Sequence, residues 1–383
     1  MIYHDWLYGK WELPDFIEKI VHTKPMIRLR AISQASGPAC FLPINIPSRF
    51  QHCLGACFLA FEALKYNRNF SDYGILLPLS ALLHDAGNPP FSHLSEPFLK
   101  EITGKDGESF LENILDGSDT EKIIRDLGIA SEAVVRFVTG EMFPFSNILH
   151  GSLDLDNLDN ISRFNKSTGM ASEHDYDAPR IASAFRFMNG KWALLGSVFS
   201  EAKKWQKARK LAYKTIYTFP HLDAAIMLYR AVELAFLEEE LKYDFFLQDD
   251  YGAIAYLLKR CNKRTRKLVD RFLRWQWYDE VFCAEIFEPS QKIKDIAASG
   301  WEGRKKLADY LCRKLGLSQE QTCAYIGKGR DARKIEVPFF GKDGTFTYDK
   351  YEPNIIYRIK VYISPETQIV RRKVAQLVSE FIS

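Results

Sequence analysis

Apolar and polar positions repeat with a helical period over most of the chain. Between residues 15 and 327, apolar residues recur every three to four positions, most clearly in residues 132–138, 224–239 and 253–267. This spacing places apolar side chains on one face of a helix, and that face packs against a core. The pattern therefore predicts a mainly α-helical protein.

The period changes in the C-terminal part. Residues 334–340 and 345–348 flank the turn sequence Gly-Lys-Asp-Gly, which is typical of a β-hairpin. Residues 355–363 predict a third strand, and residues 368–381 predict a final helix. The predicted fold class is all-α with a small β-hairpin-containing C-terminal element. We expect a core in residues 1–190, a basic helical extension packed on it in 191–330, and the small β/α element in 331–383.

Composition narrows the class of protein. The chain has 383 residues, of which 46% are hydrophobic, and no apolar run reaches the eighteen or so residues of a membrane span. The first residues lack the basic and apolar regions of a secretory signal. Seven cysteines, without paired CxxC spacing, predict reduced core residues, with Cys53, Cys57 and Cys283 as examples. We therefore expect a cytoplasmic protein with no membrane partner.

Charge is divided unevenly along the chain. Residues 1–190 carry 17 Lys and Arg against 24 Asp and Glu, whereas the remaining residues carry 35 against 25. Two basic runs, 203–210 and 259–267, lie in helical sequence. They are either solvated helix faces or a surface for a polyanion, and Trp275 and Trp277 nearby either stack on bases or belong to the core. Nucleic acid is therefore one candidate partner of this half.

The chemistry concentrates in the run HDAGNPPFSH, residues 84–93, with Glu96 just beyond it. His84 and Asp85 offer one imidazole nitrogen and one carboxylate oxygen, a mixed set that suits Mn, Fe, Zn or Mg. Glycine and the two prolines end a helix arriving from residues 76–83. His93 and Glu96 are three residues apart and would share one face of a helix, although Pro97 also allows the pair to start one.

A metal at this pair needs further ligands from elsewhere in the chain. His52 opens an apolar helix and is either a ligand or a hydrogen-bonded core histidine. Asp154 can instead serve as a helix N-cap, so Asp156 is the preferred fourth ligand, with Asp154 as the alternative. Asp159 and Arg163, four residues apart, predict a surface ion pair.

The order His52, His84-Asp85, Asp156 resembles the H…HD…D metal set of the HD-domain phosphohydrolases. Residues 28–34, 49–52 and the segment HDxGNPPFSHxxE resemble more closely their deoxynucleoside triphosphate triphosphohydrolase (dGTPase-like) branch. The likeness covers about 140 residues, roughly 24–163. It implies a helical HD-domain fold and one divalent metal ion, with manganese among the candidates.

The resemblance also implies a role for each matching residue. His52, His84, Asp85 and Asp156 match metal ligands, and His93 with Glu96 matches a catalytic pair near the α-phosphate. Arg49 matches a phosphate-binding arginine, and Gln34 matches a residue near the sugar 3′-hydroxyl. We expect the substrate site to include Gln34, Arg49, Asn88, Asn160 and Phe164.

Two positions depart from the family pattern. Where the family has a tyrosine and an aspartate beside the sugar, this chain has Asn160 and Phe164. Phenylalanine cannot pair with a hydroxyl group, so the metal centre matches better than the sugar pocket. We therefore expect a substrate choice that differs from that of the ordinary dNTP enzymes.

Three functional hypotheses follow. The first is hydrolysis of a nucleoside triphosphate to nucleoside and triphosphate. The second is phosphodiesterase or nucleotidase chemistry on another nucleotide or oligonucleotide. The third is a non-catalytic module that binds nucleotides or nucleic acid, which the retained His93 and Glu96 argue against. A nucleotide substrate, an effector nucleotide and a homo-oligomer are the partners that the resemblance implies.

Overall fold

The computed structural model describes residues 1–35, 37–67, 73–170, 175–218, 221–330 and 332–383. An N-terminal antiparallel hairpin, β1 (Ile2–Asp5) and β2 (Gly9–Glu12), precedes the first helix. In the described part of the chain, no helix is both long and apolar enough to cross a membrane.

The helices that follow build the first core. They are α1 (Asp15–Val21), α2 (Lys24–Leu29), α3 (Arg49–Leu64), α4 (Leu76–Leu83), α5 (Glu96–Thr103), α6 (Leu111–Leu115), α7 (Asp119–Asp126), α8 (Ser131–Val138), α9 (Asn147–His150), α10 (Leu155–Ser167), α11 (Ala178–Ser183) and, after two strands, α12 (Phe199–Ile216). Apart from α5, whose Phe98 and Leu99 belong to the second cluster described below, their apolar faces form one large hydrophobic cluster, with α3 packed between α4, α10 and α11.

Helix α3 begins at a capping box. The Ser48 hydroxyl accepts a hydrogen bond from the Gln51 backbone N–H, and the Gln51 side-chain oxygen accepts one from the Ser48 N–H. Both contacts satisfy N–H groups that a helix start would otherwise leave unpaired. Cys53 and Cys57, on the buried side of this helix, have pKa values raised by burial, so their thiols are packing groups, as predicted.

A second hydrophobic cluster surrounds a further set of helices. These are α13 (His221–Leu237), α14 (Tyr243–Phe246), α15 (Asp250–Arg260) and α16 (Lys263–Leu273). The helical pattern of residues 253–267 is divided between α15 and α16, because Asn262 interrupts it. Its side chain accepts hydrogen bonds from the N–H groups of Arg264 and Thr265 and so starts α16 as an N-cap.

Two further sheets complete the fold. One has the order β3 (Phe185–Met188), β4 (Lys191–Leu195), β7 (Phe339–Phe340), β8 (Phe346–Thr347). The other is antiparallel, with β9 (Ile355–Ile363) between β5 (Asp279–Ile286) and β6 (Thr322–Arg330). Helices α17 (Gln291–Ala298), α18 (Trp301–Leu315) and α19 (Arg371–Ile382) pack on the second sheet around a third hydrophobic cluster.

The mainly helical class with a small β-containing C-terminal element is confirmed. The hairpin β7–β8 and the final helix lie where they were predicted. The layout inside the helical region is partly wrong, because β3, β4, β5 and most of β6 lie within residues 15–327. Cys283 is also a correction. It is exposed on β5 rather than buried in a helix, because β5 forms an edge of its sheet.

Candidate metal centre and catalytic residues

His52 and His84 meet at the centre of the first core. His52 lies in the first turn of α3, and His84 is the C-cap residue of α4. Their Nε2 atoms are 3.1 Å apart, and both side chains are buried. The ligand atoms of His52, His84 and Asp85 all lie within 4.8 Å of one another, so the three residues, here called the metal group, can hold a metal ion.

The hydrogen bonds of the two rings fix which nitrogens face the group. His84 Nδ1 lies 2.8 Å from the Ala81 carbonyl oxygen, which can only accept, so Nδ1 carries the hydrogen. His52 Nδ1 lies 2.8 Å from a carboxylate oxygen of Asp159 in the same way. In the neutral rings both Nε2 atoms therefore present lone pairs to each other. Two lone pairs this close repel unless a proton or a metal cation is bound there, so the arrangement fits a metal ion as well as a protonated His52.

The electrostatics also favour positive charge at this point. Burial alone would lower the pKa of His52, but its hydrogen bonds with Asp156 and Asp159 outweigh that effect and raise the pKa to about 10. The surrounding carboxylates thus attract a cation to the position of Nε2. Two imidazoles with carboxylate oxygens form a donor set that suits Mn, Fe or Zn.

Asp85 is held from two sides. Arg49 Nη1 lies 2.6 Å from its carboxylate, and Asn88 Nδ2 donates to Oδ1 at 2.7 Å. Burial opposes ionisation of Asp85, yet the neighbouring Arg49 holds its pKa well below the ordinary range. Asp85 therefore stays ionised, and Asn88 orients it. The other terminal nitrogen of Arg49, Nη2, has no hydrogen-bond partner among the described residues and remains available for an anion.

The two candidate aspartates of α10 differ in their contacts. Asp156 Oδ1 lies 2.9 Å from His52 Nε2 and 3.8 Å from His84 Nε2. Asp154 is the N-cap residue, and its carboxylate accepts from the backbone N–H and the side chain of Asn157. The structure brings Asp156, rather than Asp154, to the histidines.

Asp159 and Arg163 form a buried ion pair, so the predicted surface pair is wrong. Both side chains have no exposed area, and Arg163 also contacts Asp5, at 3.0 Å. The helix places them inward because Gly55 of α3 leaves room: a Cβ there would lie 1.9 Å from an Asp159 oxygen. Asp159 is thus a partner of His52 that the sequence did not disclose.

His93 and Glu96 contact each other directly. His93 Nδ1 lies 2.8 Å from Glu96 Oε2, and Glu96 is the first residue of α5, with His93 in the short 3₁₀ segment before it. Burial would raise the pKa of Glu96, but the hydrogen bond with His93 and one from the Gly107 N–H lower it to about 2. The ionised carboxylate orients the ring, and the His93 side chain is 76% exposed.

The loop before His93 has an unusual backbone. Phe91 and Ser92 have positive φ angles of 62° and 54°, which cost free energy outside glycine. Asp250 of α15 stabilises this loop, because one carboxylate oxygen accepts the Phe91 N–H at 2.7 Å. The other accepts the Ser33 N–H at 2.9 Å. The Ser92 hydroxyl donates to the Ser33 carbonyl and accepts from Arg49 Nε.

Gln34, Asn160 and Phe164, the other residues predicted to contact the substrate, differ in burial and in hydrogen bonding. Gln34 follows Ser33 directly, and both polar atoms of its side chain are buried without a hydrogen-bond partner. Asn160 is half-buried on α10. Phe164 is 2% exposed and packs in the first core, so the structure does not bring it to the metal group.

Glu108 and His150 lie near the site, and no motif in the sequence identified either of them as a candidate site residue. Burial and then the charges of Asp106, Asp85 and Asp156 raise the pKa of Glu108 to about 7. Burial, followed by the charge of His84, lowers the pKa of His150. Both groups therefore lie within electrostatic reach of the metal group.

The chain resembles known proteins at low sequence identity. No family model matches the chain. The chain is 22% identical over 367 residues to the SAMHD1 homolog of Dictyostelium discoideum, a deoxynucleoside triphosphate triphosphohydrolase, covering 86% of this chain and 69% of that protein. It is 26% identical over 152 residues to the human enzyme of that name, covering 36% of this chain and 24% of the human protein. The resemblance to the HD-domain phosphohydrolases is confirmed.

Three further proteins extend the likeness. An uncharacterised protein of Methanocaldococcus jannaschii is 27% identical over 277 residues, and the match spans 68% of this chain and 57% of that protein. A phosphohydrolase from Bacteroides thetaiotaomicron has the same fold, with a TM-score of 0.70, 18% identity and coverage of 95% and 99% of the two chains. A hypothetical protein from Aquifex aeolicus gives a TM-score of 0.75 at 19% identity, with 99% of both chains covered.

Proposed function

We propose that the protein is a metal-dependent phosphohydrolase of nucleotides that acts as a deoxynucleoside triphosphate triphosphohydrolase-like enzyme. The observation that carries the proposal is the convergence of the two Nε2 atoms beside Asp85 and Asp156, with Arg49 and the His93–Glu96 pair around them. This arrangement combines a cation site, a phosphate-binding cation and a proton-transfer pair.

His52, His84, Asp85 and Asp156 would hold one divalent ion. Such an ion polarises a phosphoryl oxygen and lowers the pKa of water. Mn, Mg, Fe and Zn are the candidates for this donor set, which mixes imidazole and carboxylate.

The protein's own residues supply binding and proton transfer. Arg49 holds a phosphate oxygen with its free terminal nitrogen, a role for which the planar, permanently charged guanidinium is suited. His93 gives a proton to the leaving sugar oxygen from Nε2, while Glu96 keeps Nδ1 protonated and the ring in place. A cleft of about 490 Å³, lined by α5 and the start of α18, gives access to this pair.

Gln34 and Asn160 are the proposed contacts to the sugar. An amide whose donors and acceptor are buried without partners is costly in the free protein, so a ligand hydroxyl that pairs with Gln34 gains the full benefit of the contact. Phe164 lies in the core, so the tyrosine–aspartate pair that the family uses has no replacement at that position.

The test is product analysis on a panel of ribo- and deoxyribonucleotides with Mn²⁺. Inorganic triphosphate and nucleoside in equal amounts support the proposal. Release of orthophosphate or pyrophosphate instead supports the alternative, a nucleotidase or phosphodiesterase. Absence of turnover across the panel, with metal bound, would favour a non-catalytic binding module.

The remaining partner proposals concern the second half of the chain. An effector nucleotide, a homo-oligomer and nucleic acid stay predictions. Five of the eleven Lys and Arg side chains in the two basic runs form ion pairs: Lys203 with Asp349, Lys204 with Glu201, Arg260 with Asp244, Arg264 with Glu238 and Lys267 with Glu366. These ion pairs favour solvated helix faces over a nucleic-acid surface.

A further inference from the structure

A pocket of about 250 Å³ lies between the start of α13 and the start of β5. The described residues that line it are three carboxylates, one lysine, one tyrosine and one threonine. They are Asp223, Asp279, Glu280, Lys360, Tyr278 and Thr218. This described lining includes no proposed metal ligand and no proposed substrate contact, so the pocket is separate from the candidate metal centre.

The lysine of the pocket neutralises only one of its three carboxylates. Lys360 Nζ donates to Glu280 Oε2 at 2.6 Å and to the Tyr217 carbonyl oxygen at 2.8 Å. Asp279 is exposed and Asp223 is buried, and neither carboxylate has an ion-pair or hydrogen-bond partner among the described residues. When both are ionised, the pocket therefore carries two negative charges that its described lining does not balance.

Asp223 is the carboxylate that points to a ligand. It lies in the first turn of α13, lines the pocket and is only 5% exposed. The nearby Tyr362 hydroxyl does not donate to it, because that hydroxyl is buried without a hydrogen-bond partner. Burial and then the charge of Glu280 raise the pKa of Asp223 to about 6, so the carboxyl is mostly ionised at neutral pH. A buried carboxylate without a counter-charge is costly, and a ligand that brings a positive charge removes that cost.

The positions of the carboxylates favour an extended cation over a single metal ion. Among the described residues, the metal group is the one set of three histidine, cysteine or acidic side chains whose ligand atoms lie within 4.8 Å of one another. The three carboxylates of the pocket therefore do not converge on one ion. At about 250 Å³ the pocket is also smaller than most sites for drug-sized ligands, so it suits a small organic cation.

We propose that this pocket binds a small aliphatic diammonium compound, with one ammonium group at Asp223 and the other at Asp279. An ammonium group brings three N–H donors and a full positive charge, which match an ionised carboxylate. The methylene chain between the two ammonium groups spans the separation of the carboxylates and packs against the Tyr278 ring, as the stem of a lysine does on an apolar surface.

The test measures binding of putrescine, a linear diamine, by isothermal titration calorimetry at pH 7.5 and about 50 mM salt, where exposed charges are weakly screened. Asp223→Asn keeps the shape of the side chain and removes its charge. The matched control, Asp126→Asn, removes the same charge from an exposed position on α7. We expect one site per chain in the wild type and the control, with affinity at least about tenfold weaker in Asp223→Asn. No binding by the wild type, or equal affinity in all three proteins, would overturn the proposal.

A second measurement needs only the wild-type protein. Among the described residues, the titratable and charged groups that face Asp223 are Glu280, Lys360, Asp279 and the Tyr362 hydroxyl. At pH 6 a large fraction of the Asp223 carboxyls is protonated while the diamine is fully charged, so binding should release protons. The observed heat should then change with the ionisation enthalpy of the buffer. Binding without proton release at pH 6 would show that the diamine does not lie at Asp223.

Two further comparisons test the chemistry of the ligand. Butylamine carries one ammonium group and should bind at least about tenfold more weakly than putrescine, because it leaves one carboxylate unpaired. Equal affinities would contradict a diammonium site. Mg²⁺ added at matched ionic strength should not change the affinity for putrescine, and displacement by Mg²⁺ would make the pocket a metal site instead. Because these measurements do not depend on turnover, this site and the proposed enzymatic function can fail independently.

Discussion

Asp159 accepts a hydrogen bond from His52 Nδ1 across 2.8 Å, although the two residues lie 107 positions apart in the chain. The same carboxylate is neutralised by Arg163, so it is ionised in a fully buried place. This contact fixes the tautomer of His52 and turns Nε2 toward the metal group.

Asp159→Asn should weaken metal binding about tenfold to a hundredfold, since the amide cannot hold the Nδ1 proton as the carboxylate does. Affinity would be measured by competition with a chelating dye. Asp5→Asn is the matched control, because Asp5 also pairs with Arg163 but does not contact His52. Equal losses in both variants would assign the effect to Arg163 and not to the histidine.

Substitutions of the two aspartates at the start of α10 should have different effects on metal binding. Asp156→Ala should lose bound metal in elemental analysis, because this carboxylate contacts the two histidines. Asp154→Ala should keep the metal and cost about 1 kcal/mol of stability through loss of the N-cap. The reverse result would make Asp154 the ligand.

His93 and Glu96 should behave as one catalytic unit. His93→Ala is expected to lower kcat by about a hundredfold to ten-thousandfold, the usual contribution of a positioned acid or base. Since Glu96 acts through the histidine, His93→Ala/Glu96→Ala should be little worse than His93→Ala alone. Two losses that simply multiply in steady-state kinetics would separate the residues.

Gln34→Ala should lower kcat/KM about tenfold to a hundredfold while leaving the thermal midpoint unchanged or higher. The amide is buried without partners in the free protein, so its removal relieves a desolvation cost. Scanning calorimetry and steady-state kinetics on the same preparation test both halves. A fall in the midpoint with unchanged kcat/KM would make Gln34 a structural residue.

Asp250 should make stability depend on pH. Burial raises the pKa of its carboxyl from 3.8 to about 7, although hydrogen bonds from Phe91 and Ser33 oppose that shift. Between these values the folded state keeps a proton that the unfolded state has released. The free energy of unfolding should therefore fall as pH rises toward 7, by up to about 1.4 kcal/mol per pH unit from this group.

Asp250→Asn removes the titrating group, so denaturant titrations at pH 5, 6, 7 and 8 should show a wild-type minus variant difference that decreases with pH. Asp249→Asn is the control, because it keeps an N-cap residue one position earlier. A constant difference between the Asp250→Asn variant and the wild type would show that Asp250 does not titrate in this range.

The sequence was informative wherever a site residue depended on its own segment. His84 and Asp85 follow the end of one helix, and His93 and Glu96 lie at the start of the next. The prolines after Asp85 and the proline after Glu96 mark these positions in the sequence. Residues whose role depends on distant partners were out of reach. Asp159 and Arg163 have the spacing of a surface pair, and only Gly55 and Asp5 from other elements make them buried.

The same distinction explains the errors inside the predicted helical region. Strand β5 pairs with β9, some 70 residues away, so its stability comes from a partner that local periodicity cannot register. Phe164 stands where the family has an aspartate beside the sugar. Whether the side chain at this position faces a ligand or the core depends on the packing of α10. An apolar residue at this position joins the core, as its 2% exposure shows.

Asp250 joins the two halves of the molecule at the loop that presents His93. Arg28 also connects the two halves, because its guanidinium donates hydrogen bonds to the carbonyl oxygens of Gln248, Ala86 and Asn88. A fragment ending near residue 190 would contain every proposed ligand and the His93–Glu96 pair, yet the Ser33 and Phe91 N–H groups would lose their acceptor. Any segment that replaced the second half would therefore have to bring a new acceptor to these two N–H groups.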